Sequence, residues 1–192
     1  MNMMMQQQPQ RIKEDIAVVL DYLANGYPLD KRPMHKKTPI VQAIGKEHFV
    51  LLELVPKREA GFQPGDDVYI GDGKRDKIHH IIGRLPLDKL TNSARNEMEY
   101  VINELIMKNE KRFVDFFNTA KPLTTRMHQI ELLPGIGKKH MWSIIEARDE
   151  KPFESFEDVK KRVKLISEPQ KLIFKRILGE IEGKEKHRLF TE

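Results

Sequence analysis

The apolar residues of this chain change their period near residue 90. Before that point they form short runs rich in β-branched side chains and separated by turn residues; beyond it they recur every three or four positions. The run 16–23 (IAVVLDYL) reads as a strand buried on at least one face. Runs 40–44 and 49–55 flank Gly45-Lys46-Glu47-His48 and predict a β-hairpin, with Phe49 turned inward. A turn at 62–66 leads into 68–70, Asp72-Gly73 predicts a tight turn, and 78–85 gives a fifth strand that Pro86 ends. Five short strands with no room for crossover helices predict a small antiparallel OB-like barrel over 11–90, closed so that no edge is exposed. Residues 1–10 read as a disordered tail.

From Ser93 the helical period takes over. Ala94, Met98, Val101, Ile102, Leu105 and Ile106 share one face, and Phe113, Phe116 and Phe117 extend the spacing to Lys121-Pro122. Residues 91–122 are therefore expected to be linking helices with those phenylalanines in the core. In 123–182, Met127, Ile130 and Leu133 predict one helix, capped by Thr124 or Thr125, and Met141, Ile144, Ile145 and Arg148 predict a second. The capping-box spacing at 155–158 opens a third, and Pro169 starts a fourth that runs to Ile181. The fold class expected is thus α+β, the barrel preceding an all-α domain, with 183–192 a charged tail that frays.

Between the first two helices of that domain stands Leu132-Leu133-Pro134-Gly135-Ile136-Gly137-Lys138-Lys139. Glycine at 135 and 137 permits positive φ and leaves no Cβ between backbone and ligand, while Ile136 can plug inward. The first-turn N–H groups of the following helix then face out, where the helix dipole favours a phosphate oxygen, and Lys138 and Lys139 add positive charge. These residues resemble the helix-hairpin-helix family of nucleic-acid-binding motifs, which has an apolar-Pro-Gly-apolar-Gly-Lys core and an apolar residue seven positions after the second glycine, here Ile144. Met141 departs from the small residue that many members carry. The resemblance implies phosphate contact through Gly135 and Gly137 without sequence reading. The helices on either side of 164–168 look like a second, degenerate copy: the connection lacks the glycines, and Glu168 would repel a phosphate.

Charge and composition narrow the function classes. The 192 residues carry a net charge of +5, 33% are charged, and there is no cysteine, which excludes disulfides, thiolate metal sites and cysteine nucleophiles. No apolar window approaches a membrane span, so a cytoplasmic protein without membrane contact is expected. A basic cluster, Lys31, Arg32, Lys36 and Lys37, stands in the 25–38 loop and reads equally well as a phosphate-contacting loop or a solvated one. Tyr27 and Tyr69 are the rings considered for base stacking. His79-His80 on a strand should point to opposite faces and so not share a metal, and Asp66-Asp67 and Asp149-Glu150 sit beside turns. With no phosphate-binding NTPase loop and no nucleophile elbow, an enzyme, a cofactor and a small-molecule substrate are not expected.

Over 11–182 the arrangement resembles an uncharacterised archaeal family in which an OB-like barrel precedes a helix-hairpin-helix domain and which is described as predicted RNA-binding. The resemblance implies a non-enzymatic partner of RNA, gripped through Pro134, Gly135, Ile136, Gly137, Lys138 and Lys139, with the barrel loops as a second contact. Two alternatives stay open. One is a DNA-binding repair or recombination accessory. The other is a protein-interaction scaffold associated with the ribosome or the transcription machinery.

Overall fold

Strand β1 (Ile16–Leu23) is the first element of the computed structural model, which describes residues 13–191; the expected tail at 1–10 lies outside them. With β2 (Ile40–Gly45), β3 (Leu51–Pro56), β4 (Asp67–Tyr69) and β5 (Ile78–Arg84) it builds one sheet in the order β4-β1-β2-β3-β5, every pair antiparallel. The strands stand where the short apolar runs put them. The closed barrel does not form: β4 and β5 occupy the two ends of the order and do not pair, leaving a curled half-barrel. β4 is only three residues long, too short to present a ladder to β5 across the Gly71–Gly73 turn.

Both faces of the sheet are covered. Ala17, Val19, Val41, Ala43, Leu54 and Val68 fill the concave side, while Val18, Leu20, Ile44, Phe49 and Leu51 join a second cluster that continues through the helices. This explains why β1 and β2 read as nearly continuous apolar runs rather than alternating ones. Phe49, buried as expected, has a φ of 56° at the turn between β2 and β3. A left-handed backbone costs a bulky residue about 1–2 kcal/mol, which the burial of an aromatic ring against Phe113 offsets.

Helix α1 (Asn92–Lys108) begins at a polar clasp on the sheet. The Thr91 hydroxyl accepts from the Ala94 amide at 3.0 Å and donates to Asp21 at 2.6 Å, while buried Gln42 donates to the Lys89 carbonyl and accepts from the Thr91 amide. Asp21 and Gln42 are register partners, brought level by a bulge at Leu20. Helix α2 (Glu110–Thr119) follows, and Phe113 and Phe117 are buried, with Phe116 packed against them. Then comes a departure from expectation: 122–128 is a two-stranded hairpin, β6 (Pro122–Thr124) and β7 (Met127–His128), followed by a 3-10 turn at Gln129–Leu132. The helix predicted from Met127, Ile130 and Leu133 is absent because Pro134 disfavours the α conformation at Leu133 and His128 caps the chain only at Gln129. Thr124 serves the β-turn instead, accepting from the Arg126 and Met127 amides.

Helices α3 (Lys138–Glu150), α4 (Phe156–Arg162) and α5 (Pro169–Ile181) complete the layer, with Ser155 capping α4 as its spacing predicted. Side chains close the helix ends that backbone bonds cannot. Arg148 donates to the carbonyls of Phe117 and Ala120, and Arg162 to those of Ala147 and Lys151.

The segment 183–191, expected to fray, is anchored. Glu180 of α5 accepts from the amides of Leu189, Phe190 and Thr191, and Phe190 packs against Phe113 and Phe116. Glu180 also pairs at 2.8 Å with Arg176, whose side chain is 2% exposed. Removing one partner of a buried ion pair costs about 3–5 kcal/mol, because the other charge is stranded. Glu180→Ala is expected to lose that much stability in urea unfolding, whereas a loss below about 1 kcal/mol is what a solvated surface pair would give.

Candidate nucleic-acid interface

The glycine hairpin is built by local rules that can be followed residue by residue. His128 accepts the Ile130 amide on Nδ1 at 3.1 Å, and Glu131 reaches back to the His128 amide at 2.9 Å, a reciprocal capping box for the 3-10 turn. The chain then reverses through a bond from the Ile136 amide to the Leu133 carbonyl at 3.1 Å. Gly135, with φ of 77°, supplies the left-handed residue this turn needs. Ile136 is buried between the two glycines, as a plug should be. Gly137 differs from Gly135: its φ of −98° is open to any residue, and it is the N-cap of α3, with no side chain to cap the amides that follow. A Cβ built on either glycine meets nothing within 4 Å. The space in front of both is open, so the glycines here admit a neighbour from outside rather than one from within.

Charge around the hairpin is more ordered than the sequence suggests. Lys138 is not a mobile cation: its ammonium group donates to Glu131 at 2.9 Å and to the Arg126 carbonyl at 2.7 Å, tying α3 to the β6–β7 tip. That ammonium holds the Glu131 carboxyl below its usual range. Lys139 is exposed on the next position of α3 and Pro134 is half-buried. The Leu132 carbonyl, immediately before the hairpin, accepts from Arg176 at 2.8 Å.

The basic loop belongs to the β1–β2 connection, and no hydrogen bond, ion pair or cavity joins it to the hairpin among the described residues. Lys31 and Lys36 are exposed and Lys37 half-buried, while Arg32 forks onto Asp30, donating at 2.7 and 2.9 Å. Those bonds pull the Asp30 carboxyl down to about 2. The loop thus carries less free charge than its composition implies. Tyr27 and Tyr69, the two rings considered for stacking, have their hydroxyls engaged. Tyr27 donates to Glu53 at 2.9 Å, burial pushing its phenol up to about 12, and Tyr69 accepts from the Gly73 amide at 3.0 Å. His79 and His80 overturn the alternation argument, since a pairing irregularity in β5 brings their Nδ1 atoms within 2.8 Å of each other. Among the described residues no three His, Asp or Glu side chains cluster to hold a metal ion.

Two features lie beyond the sequence reading. The β6–β7 hairpin could have been found from the β-branched pair Thr124-Thr125 next to Pro122. Trp142 stands exposed on α3, one turn past Lys138, and was hidden because the helical period counts only inward residues.

The fold is therefore that of an α+β protein: a curled antiparallel sheet backed by five helices, with a glycine hairpin on its helical side. The chain belongs to the family described as "Protein of unknown function (DUF655)", whose model matches residues 13–192. It is 46% identical over 186 residues to "Uncharacterized protein MJ0038" of Methanocaldococcus jannaschii, covering 96% of this chain and 82% of that one. The crystal structure of Af1531 from Archaeoglobus fulgidus, of the same family, superposes with a TM-score of 0.85 at 49% identity, covering 93% of this chain and all of the other. A local likeness, 39% identity over 60 residues, links 31% of this chain to 4% of the PolC-type DNA polymerase III of Mycoplasma genitalium.

His128 gives the hairpin a pH dependence with a definite sign. Burial first, then the positive charge of Arg148, lowers its imidazole below the ordinary value of 6.5. The unfolded chain therefore binds the proton more readily, and the stability that neutral His128 contributes is complete above about pH 6.5 and lost as pH falls through the folded value. His128→Asn keeps an N-cap acceptor without a titrating group. Thermal unfolding between neutral and mildly acid pH is expected to shift less in this variant than in the parent; equal shifts would clear His128 of any part.

Proposed function

We propose that this protein is a non-enzymatic RNA-binding protein in which 133–137, acting as a helix-hairpin-helix turn, clamps a phosphate, and an OB-like half-barrel stands beside it. The reading is carried by one observation: a left-handed Gly135 and an N-cap Gly137 face open space at the start of a helix whose first amides no side chain caps. Such a terminus offers donors and dipole to an anion and leaves no Cβ in its path. The connection between α4 and α5 supports the tandem motif. There the Ile166 amide bonds to the Val163 carbonyl as Ile136 does to Leu133, and Ile166 is likewise buried. That second turn has no left-handed residue, and the N-cap of its helix is Glu168, so it would serve packing rather than anion binding. RNA is favoured over DNA by the resemblance of the whole arrangement to a family described as predicted RNA-binding. The local likeness to a PolC-type DNA polymerase III favours DNA as the second reading.

Filter binding of structured RNA, single-stranded RNA, single-stranded DNA and duplex DNA decides between the two. Gly137→Ala is the informative variant, because its backbone suits any residue and its Cβ occupies only the space a phosphate would enter. It should fold as the parent does and bind more weakly at unchanged net charge; undiminished binding by the folded variant removes the hairpin from the interface. Lys139→Ala should lower the salt slope by roughly 0.7–0.9, as for one phosphate contact. Lys138→Ala should lower it less and cost stability instead, since its charge already faces Glu131.

A further inference from the structure

Trp142 is the sole tryptophan of the chain, and it leaves 56% of its surface to solvent on a helix whose Met141 and Ile144 are buried. An indole is the largest apolar side chain, and its exposure beside a cationic surface is the arrangement in which aromatic rings receive nucleobases. Helical spacing sets Trp142 directly over Lys138 and next to Lys139, about 6 Å along the axis from the hairpin. The β6–β7 tip, held to Lys138 through the Arg126 carbonyl, brings a further cation: Arg126 is exposed, and its guanidinium has no ion pair among the described residues. Past the ring the balance turns acidic, with exposed Glu146, Asp149 and Glu150 on the rest of α3 and Arg148 turned back onto the Phe117 and Ala120 carbonyls. The potential along this face thus falls from positive at the hairpin to negative beyond the second turn, and the ring stands at the boundary.

We propose that Trp142 stacks one unpaired base of the nucleic acid whose phosphate the hairpin holds, so that the ligand is a single strand or a loop and not a continuous duplex. The proposal rests on the phosphate-clamp reading and adds the ligand's strandedness to it. A duplex keeps its bases stacked on one another and shows a side chain only their edges, whereas an unpaired base offers a π-face that any sequence supplies. The acidic end of α3 repels a backbone that continues along the helix. The strand must leave the surface after the stacked base, so the footprint on α3 is one nucleotide long.

Because Trp142 is the sole tryptophan, intrinsic emission reports on this ring alone. The parent, Trp142→Ala, Trp142→Phe and Gly137→Ala proteins are titrated with a short oligouridine and with an RNA duplex of equal length. Oligouridine is expected to quench the parent's emission and the duplex to leave it unchanged. Trp142→Ala should weaken oligouridine binding by roughly tenfold, within the range of one base-aromatic stack, with an unaltered thermal transition and unaltered duplex binding. Trp142→Phe should recover most of the loss. Unquenched emission at saturating oligouridine, equal quenching by duplex, or parental affinity in Trp142→Ala would each overturn the proposal. If Gly137→Ala weakens binding and Trp142→Ala does not, the clamp stands and the stack falls; if neither does, both fall. A parent that sediments as a dimer and a Trp142→Ala protein that sediments as a monomer with parental oligouridine affinity would assign the ring to self-association and overturn the stack.

Discussion

The arrangement of the helical layer depends on a single guanidinium. Arg176 projects from α5 into a space where its side chain is 2% exposed, and there it meets Glu180, Glu185, the His187 carbonyl and the Leu132 carbonyl. Three parts of the chain converge on one planar group: the helix it belongs to, the segment after that helix, and, 44 residues away, the residue preceding the glycine hairpin. A lysine offers one point charge and could not fork in this way. A buried charge without partners is so costly that each of these segments must be in place for the others to be stable. The hairpin is therefore held from behind by the core and not only by its own turn.

A second polar constraint sets the sheet against the helices. Asp21 and Gln42, neighbours across the β1–β2 ladder, both engage Thr91 at the start of α1, and the bulge at Leu20 makes that alignment available. Hydrophobic burial supplies most of the attraction between the layers but has no direction; directed bonds in a region where unpaired polar groups are expensive fix which register is adopted. With one face sealed by α1 and the other filled by its own apolar side chains, the sheet has no need to close. The groove between its ends, lined by Val50, Leu52, Ile70, Ile81, Arg75 and Arg84, is what remains of the missing seam.

The strands and most helices were legible because their signals are local: period, turn residues and caps. What the sequence concealed is tertiary or subtractive. Met127, Ile130 and Leu133 have helical spacing, yet Pro134 leaves too few residues for an α-helix, and the chain takes the extended form on one side and a tight turn on the other. The segment after α5 is charged enough to suggest a loose end, and only the buried carboxylate of Glu180 reveals that the amides of Leu189, Phe190 and Thr191 have a destination. His79 and His80 alternate in sequence but not in space, since a bulge inserts a residue that no periodicity argument contains. At the hairpin the glycines were legible and the electrostatics were not. That Lys138 and Arg32 are each matched by a carboxylate, at Glu131 and Asp30, follows from side-chain reach rather than from composition.

The turns before α3 and before α5 share one bond and differ in what surrounds it. Both turn on the same bond, from a buried isoleucine amide to the carbonyl three residues before it. In the first, open space lies before a left-handed glycine and an N-cap glycine; in the second, an extra residue follows the isoleucine, and the N-cap is Glu168, whose carboxylate pairs with Lys171. A carboxylate at a helix start stabilises that helix through its dipole. The second helix so begun is α5, the one that carries Arg176. The helix that starts at the closed turn thus braces the open one from behind, through the bond of Arg176 to the Leu132 carbonyl.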